Sequence, residues 1–213
     1  MTIDELKVII NAETKGYDKA IKKVTQSTKS LQKTLSRAFG VTALVAFSKS
    51  CLEAASDLEE VQNVVDVSFG SMADSAEEFA KSAMASFGIT ELQAKRVSST
   101  FMAMSNSIGL TKGTARDMSL SLTALAADMS SFYNVSLESA QNALQGIFTG
   151  NTRALRQYGV VIEDATLQEY ALSQGISKSV STMTAAEKIT LRYNYTMNAL
   201  SNVIGDYTRT SGS

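Results

Sequence analysis

Paired acidic side chains are the first feature of this sequence that could do chemistry, because general acid and base catalysis often uses two carboxyl groups. Glu59 and Glu60 are adjacent, and so are Glu77 and Glu78. Neighbouring residues on a helix point about 100° apart, so the members of such a pair do not face one site. We therefore expect both pairs to lie on solvated helix faces.

Two further sets of charged residues could bind an ion. Glu163, Asp164 and Glu169 could surround a cation if the fold gathered them, although their spacing is not that of a known calcium loop. Arg153 and Arg156 are three residues apart on a predicted short helix and could hold a carboxylate or a phosphate. Structural pairing of these arginines with acidic residues is the interpretation that we favour.

Composition excludes much of the machinery of known enzymes. The chain has no His and one Cys, which excludes His-dependent triads, His-ligated metals, intrachain disulfides and thiolate zinc clusters. That residue, Cys51, is expected to pack on a helix, because no His or second Cys could activate it. The segment 148–152 lacks the Lys-Ser/Thr ending of a phosphate-binding loop. We predict no catalytic residue, no cofactor site and no metal site, and a protein that is not an enzyme.

Length and composition favour a helical protein with a substantial core. The 213 residues allow one large domain or two small ones, and a hydrophobic content of 44% argues against wholesale disorder. There is no Pro and there are 12 Gly, so few residues would break a helix. The expected fold class is all-α, an Ala- and Ser-rich helical array with one short N-terminal β-strand.

Charge is unevenly distributed along the chain. Residues 1–50 hold nine Lys and Arg against four Asp and Glu, a net +5, whereas residues 51–213 hold eleven against seventeen, a net −6. Solvated faces of opposite sign are the simplest explanation, and pairing with an acidic partner or self-association is the alternative. The overall net charge of −1 gives no indication of nucleic-acid specificity.

Neither a membrane span nor a secretory signal is expected. The longest apolar stretch, 38–47, is about half the length of a membrane span. Asp4 and Glu5 lie where a secretory signal carries positive charge.

Residues 3–13 alternate between apolar and other side chains, which predicts a short strand with one buried face. The apolar positions are Leu6, Val8, Ile10 and Ala12. Because a single strand cannot satisfy its own backbone groups, it needs a partner. That partner is either a second short strand near 159–163 or a strand of another copy.

The period becomes helical over 15–39, where a narrow apolar stripe opposes a row of lysines. A stripe this narrow is typical of a coiled-coil seam, so the helix either self-associates or lies on its own domain. We expect this helix to bind a partner. Its candidate contact residues are Tyr17, Lys19, Ile21, Lys22, Lys23, Val24, Lys29, Leu31, Lys33 and Leu35.

Two regions are expected along the chain. Residues 1–66 hold the strand and two long helices, the second over 41–66, in an extended or coiled-coil-like arrangement. Residues 67–213 form a compact multi-helix region that is truncated at its C-terminal end. Capping residues and glycines predict its helices at 71–87, 90–108, 112–132, 136–148, 152–158, 165–173 and 185–204.

Three stretches of the sequence have a recognisable pattern. The first runs Leu6-Lys-Val-Ile-Ile-Asn-Ala-Glu-Thr-Lys-Gly-Tyr-Asp-Lys-Ala-Ile-Lys-Lys-Val. The second comprises Ser131-Phe-Tyr-Asn-Val-Ser-Leu-Glu, Ala143-Leu-Gln-Gly-Ile-Phe-Thr-Gly-Asn-Thr-Arg-Ala-Leu-Arg-Gln-Tyr-Gly-Val and Thr166-Leu-Gln-Glu-Tyr-Ala. The third runs from Ala185-Ala-Glu-Lys to Gly205-Asp-Tyr-Thr-Arg-Thr-Ser. Together they resemble the N-terminal part of tail tape measure proteins, or phage-related minor tail proteins, of long-tailed bacteriophages and prophages.

This resemblance implies a structural role in tail assembly. Proteins of this family are mostly helical and fill the lumen of the tail tube in the virion. Tail assembly chaperones keep them soluble in the host cytoplasm until tube subunits polymerise around them, and their length sets tail length. The implied partners are therefore the tail tube protein and the chaperones, together with further copies of the chain through its long helices.

Tape measure proteins usually have many hundreds of residues, so the resemblance implies that this chain is a fragment, a truncated gene product or a separate N-terminal piece. An alternative is a helical module that docks a chaperone or the tail terminator without acting as a ruler. A third hypothesis, a small enzyme that cleaves peptidoglycan, has no supporting motif.

Overall fold

Helices account for most of the chain that the computed structural model describes, which is residue 57 and residues 59–211. The described α-helices are α1 (59–69), α2 (Ala73–Phe87), α3 (Glu91–Ser107), α4 (Lys112–Tyr133), α5 (Leu137–Thr149), α6 (Asp164–Ser173), α7 (Ala185–Ala199) and α8 (Asp206–Thr210). Three 3₁₀ helices, Gly70–Met72, Thr152–Tyr158 and Val180–Thr182, lie between them. The mainly helical class predicted from the sequence is confirmed.

The predicted N-terminal elements precede this part of the chain. The strand at 3–13, the basic helix at 15–39 and most of the helix at 41–66 lie outside the described residues. The described helices all belong to one compact unit, which begins at Leu58.

Two capping boxes predicted from the sequence are present. The Thr90 hydroxyl accepts a hydrogen bond from the Gln93 N–H at 3.2 Å, and Gln93 Oε1 accepts one from the Thr90 N–H at 2.9 Å. Thr184 and Glu187 repeat this arrangement at 3.2 Å and 2.7 Å. Each box satisfies N–H groups that a helix start leaves unpaired, so local sequence places the starts of α3 and α7.

The second strand suggested near 159–163 is wrong. Residues 160–163 are irregular, and no strand pairs with them in the described part of the chain. Val160 and Ile162 are buried in the main hydrophobic core among helices. Their two-residue period therefore reflects burial against helices, since a strand also requires an aligned neighbour for its backbone groups.

The last long helix is shorter than predicted. α7 ends at Ala199 rather than at residue 204, and Gly205 precedes α8 instead of ending a helix. Leu200 and Val203 are nevertheless buried. The Val203 N–H bonds the Leu200 carbonyl at 2.9 Å, so consecutive turns preserve a spacing that resembles a helix in the sequence.

α4 is the central helix of the unit and packs against α2, α3, α5 and α8. Its inward face, Val97 and Phe101 of α3, and the helices that come after α4 form the main core, in which large side chains are fully buried. Among them are Leu122, Leu125, Met129, Leu144, Ile147, Leu155 and Leu167.

A second cluster is built mainly from small side chains where α2, α3 and α4 meet. We call it the small-residue cluster, and its buried members are Ala80, Ala83, Ile89, Ala94 and Ala127. Small side chains let helix axes approach closely but bury little apolar area each.

Candidate functional site

The residues predicted to bind a partner precede the described part of the chain. They are Tyr17, Lys19, Ile21, Lys22, Lys23, Val24, Lys29, Leu31, Lys33 and Leu35. All of them lie outside the described residues, so their role stays a prediction. The same holds for the packing of Cys51.

The adjacent glutamates do not form carboxylate pairs. Glu77 Oε1 lies 3.6 Å from Lys95 Nζ, whereas Glu78 is exposed. Glu59 and Glu60 are both exposed on α1. General acid and base catalysis needs both groups within reach of one bound substrate, and neither pair has that geometry.

Lys95 is almost fully buried and connects three helices. Its Nζ lies 2.8 Å from Glu91 Oε1 and 3.6 Å from Glu77 Oε1, and it donates a hydrogen bond of 3.0 Å to Gln62 Oε1. Burial by itself lowers the pKa of Lys95, but the hydrogen bond with Glu91 and the charge of Glu77 outweigh it and raise the pKa above its ordinary value. Lys95 is therefore held in its charged form, links the three helices through its polar contacts, and is not available as a base or nucleophile.

The two predicted sets of ion-binding residues meet in one ion pair. Arg156 Nη2 lies 3.0 Å from Glu163 Oε1, so the favoured pairing with an acidic residue is present for this arginine. Arg153 and Glu169 are exposed. Across the described residues, no group of three or more His, Cys, Asp or Glu side chains is placed to hold a metal ion.

The second of the three resembling stretches forms a tight corner between α5 and the 3₁₀ helix after it. Gly146 is required in this corner, because a Cβ there would collide with the Asn151 carbonyl oxygen. The Tyr133 hydroxyl donates to the Tyr158 carbonyl oxygen at 3.1 Å, and the centroids of the two rings lie 5.0 Å apart. Burial raises the pKa of Tyr133, which keeps this phenol protonated as a donor.

Side chains of α7 contact the same corner. Arg192 Nη1 donates to the Ile147 carbonyl oxygen at 3.4 Å, near the end of α5. The rings of Tyr170 and Tyr195 meet edge to face with centroids 5.4 Å apart, which joins α6 to α7. The corner is therefore contacted by Tyr133 of α4 and by Arg192 of α7, which lie on either side of it in the sequence.

A buried carboxylate holds the C-terminal segment against α4. Asp128 is 1% exposed, and its two oxygens accept the N–H groups of Gly205 at 2.7 Å and Tyr207 at 3.2 Å. The ring of Tyr207 packs against Gly88, where an added Cβ would collide with it. Two backbone donors compensate the cost of burying the charge.

Asp128 and Lys95 were both missed by reasoning from the sequence. Asp128 carries a usable signal, since it lies between Leu125 and Met129 on the apolar stripe of α4. Lys95 carries a weaker one, because Glu91 precedes it by four residues as in many exposed helical pairs.

An apolar groove of about 380 Å³ opens beside α7. It is lined by α7, by the segment that precedes α7, and by Leu110 from the connection between α3 and α4. Its apolar surface includes Ile176, Met183, Ala186 and Leu191. No sequence pattern predicted this groove, because Leu110 lies far in the sequence from the residues of 176–194 that form the rest of its lining.

No protein-family model, curated protein or solved structure matches the chain. None of the described helices is both long enough and apolar enough to cross a membrane.

Proposed function

We propose that this chain is the N-terminal region of a bacteriophage or prophage tail tape measure protein, a structural protein without catalytic activity. In this proposal it lies in the tail lumen of the virion, after a stage in the host cytoplasm during assembly. Its partners are the tail tube protein and tail assembly chaperones, with self-association through the long helices predicted in residues 1–66.

The proposal rests on the resemblance of the three stretches of sequence, and the second and third of these stretches contact each other in the folded unit. Ser131 Oγ donates to Asp206 Oδ2 at 2.9 Å, although these residues are 75 positions apart in sequence. Arg192 contacts Ile147 in the same manner across 45 positions. Residues that position one another belong to one fold, whereas a likeness in composition alone would not require such contacts. The second and third resembling stretches therefore belong to one folded unit.

A docking role is the second candidate function for the part of the chain from 59 to 211. At 1.5 Å per residue, a fully helical and extended ruler of these residues would measure about 230 Å. The longest described helix, α4, has 22 residues and spans about 33 Å. A unit of packed helices would add little to the length of a ruler for its number of residues, but it offers a folded surface that a partner could bind. We therefore favour docking of a tail assembly chaperone or the tail terminator by this part, with the ruler elsewhere in the tape measure.

The experiment is an in-frame deletion of 59–211 in the parent phage or inducible prophage, with tails imaged by negative-stain electron microscopy. Docking predicts that tails fail to assemble. A ruler role for this part predicts complete tails shortened by about 230 Å. Complete tails of unchanged length would contradict both roles.

Two point variants at Leu144 test whether tail assembly depends on folding of the unit, because neither changes the length of the chain. Leu144→Asp puts a charge in the main core, where Leu144 is fully buried, and should also prevent tail assembly. Leu144→Met keeps volume and apolarity, costs less than about 1.5 kcal/mol, and should leave tails normal. Normal tails with Leu144→Asp would argue against a docking role.

A further inference from the structure

Residues 205–211, which we call the C-terminal strap, consist of Gly205, the five-residue helix α8 and Ser211. The carboxylate of Asp128 on α4 accepts the N–H groups of Gly205 at 2.7 Å and Tyr207 at 3.2 Å. A helix start leaves such donors unpaired, so Asp128 caps α8 from a different helix. A helix of this length is not stable by itself, and α8 therefore depends on its contacts with the rest of the unit.

Further contacts of the strap with α2 and α4 are polar or only half-buried. Ser131 Oγ donates to Asp206 Oδ2 at 2.9 Å, and Thr208 Oγ1 donates to the Ser86 carbonyl oxygen at 3.2 Å. The ring of Tyr207, which is half-buried, contacts the end of α2. None of the buried apolar side chains that form the described cores belongs to the strap. Its attachment is therefore mainly polar.

The residues just before the strap are anchored differently. Leu200 and Val203 are buried members of the main core, whereas Ile204 is exposed. Gly205 has a φ of +78°, in the left-handed region that glycine adopts most readily. The change from apolar burial to polar attachment thus coincides with a residue that can serve as a hinge. Opening of the chain at this point would leave the main core in place.

We propose that the C-terminal strap opens as one unit at Gly205 while α1–α7 stay folded, and that Asp128 is the latch that holds it closed. Segments with few buried apolar contacts open at a lower free energy than the core of the same protein. Opening removes both backbone donors from Asp128 and exposes its carboxylate to water, together with the covered end of α2. The open and closed forms therefore present different surfaces. This conformational device goes beyond the proposed tail function and does not depend on it.

Native-state hydrogen exchange of the full ¹⁵N-labelled chain, followed by NMR at several low urea concentrations, tests this proposal. The amides of Gly205 and Tyr207 report on the strap, and those of Leu122 and Leu125 within α4 report on the core. The strap amides should be protected relative to an unfolded chain but should exchange at least about tenfold faster than the core amides. Their exchange should also depend less on urea, because local opening exposes little surface.

Substitutions separate opening of the strap from unfolding of the whole unit. Ile147 is fully buried in the main core, so Ile147→Val should speed exchange of the core amides by about 2- to 12-fold. It should leave the strap amides unchanged, because the surroundings of Ile147 are the same in the open and closed forms. Asp128→Asn replaces one acceptor oxygen by an NH₂ group and should speed strap exchange by about tenfold or more. Asp117→Asn, at an exposed position of α4, is the matched control and should leave strap exchange unchanged.

Equal acceleration of strap and core amides by Ile147→Val would show that the strap opens only with the whole unit, and would overturn the proposal. Strap amides without protection in the unsubstituted chain would overturn it too, because the strap would then not be held closed. Asp128 would not be the latch if Asp128→Asn sped strap exchange no more than Asp117→Asn. If Asp128→Asn does not fold, Ser131→Ala removes the hydrogen bond to Asp206 and should speed strap exchange by about 2- to 12-fold; no change there would contradict the polar attachment.

Discussion

The small-residue cluster and the main core stabilise the same unit by different means. In the small-residue cluster, α2, α3 and α4 approach through alanines such as Ala80, Ala83 and Ala127. In the main core, side chains such as Leu144, Ile147 and Phe101 fill the space around α4. Each buried alanine contributes little apolar area, whereas each leucine contributes about 1.5–3 kcal/mol of transfer free energy.

Two buried polar contacts lie beside the small-residue cluster. Lys95 joins α3 to α1 and α2 beside the region of small side chains. Asp128 joins α4 to the C-terminal segment near Gly88, on the α2 side. Polar contacts also occur beside the main core, where the Tyr133 hydroxyl donates to the Tyr158 carbonyl oxygen, so the two regions differ mainly in the size of their buried side chains. Substitutions should therefore act differently in the two regions.

The largest effect is expected from Leu144→Ala in the main core. Leu144 is fully buried, so truncation leaves a cavity and should lower the free energy of unfolding by about 2–5 kcal/mol. Urea unfolding followed by far-UV circular dichroism measures this loss. Leu172→Ala, at an exposed position, is the control and should change stability by less than about 0.5 kcal/mol. Similar values for the two variants would contradict the description of the main core.

A substitution from a small to a large side chain should destabilise the small-residue cluster. Ala83 is fully buried between helices, so Ala83→Leu should cost about 1–3 kcal/mol by overpacking. Ala85→Leu places the same side chain on the exposed face of α2 and should be close to neutral. Thermal unfolding of the two variants makes the comparison. A stabilised Ala83→Leu variant would mean that the cluster contains unfilled space.

Lys95→Met tests whether the charge of Lys95 stabilises the packing of α3 against α1 and α2 beside the small-residue cluster. Loss of the charged hydrogen bonds should cost about 1–2 kcal/mol at neutral pH. Because the pKa of Lys95 is raised in the folded protein, its contribution is complete below the unfolded lysine pKa of about 10.4. It is lost as pH rises through the higher folded value.

The pH dependence of unfolding therefore gives the readout for Lys95. The stability difference between the unsubstituted chain and Lys95→Met should be constant near neutrality and shrink at strongly alkaline pH. Lys81→Met removes an exposed lysine that lies 4.0 Å from Glu77 and should show almost no difference at any pH. If the stability difference between the unsubstituted chain and Lys95→Met grew at alkaline pH, the charged contacts of Lys95 would not be stabilising the fold.

The smallest effect is expected at Ser99. Its Oγ is buried and has no hydrogen-bond partner among the described residues, so Ser99→Ala should leave stability unchanged or raise it by about 1 kcal/mol. Ser119→Ala is the matched control on α4, because Ser119 Oγ donates to the Ala115 carbonyl oxygen. That variant should lose about 0.5–1.5 kcal/mol. Denaturant midpoints distinguish the two, and a clear loss at Ser99 would indicate a partner for its hydroxyl.

Much of the helical pattern could be predicted because its signals are local. The Thr90 and Thr184 capping boxes involve residues three positions apart, and Gly88 ends α2 in the left-handed conformation that glycine favours. The same local reasoning misplaced the end of α7, since turns at 200–205 bury Leu200 and Val203 at helical spacing. The strand prediction at Val160 and Ile162 was wrong for a similar reason, because burial of every second residue against helices gives the same alternation of apolar residues as a strand.

By itself, the sequence determined the helical class, most helix starts and the absence of His, Pro and paired cysteines. Only the tertiary structure decided which charges are buried and which surfaces form. Asp128 meets Gly205 across 77 positions, and Lys95 meets Gln62 across 33. The groove beside α7 likewise joins Leu110 to residues of α7. Capping depends on neighbouring residues and fixed backbone geometry, whereas these contacts depend on how whole helices pack, which no local spacing encodes.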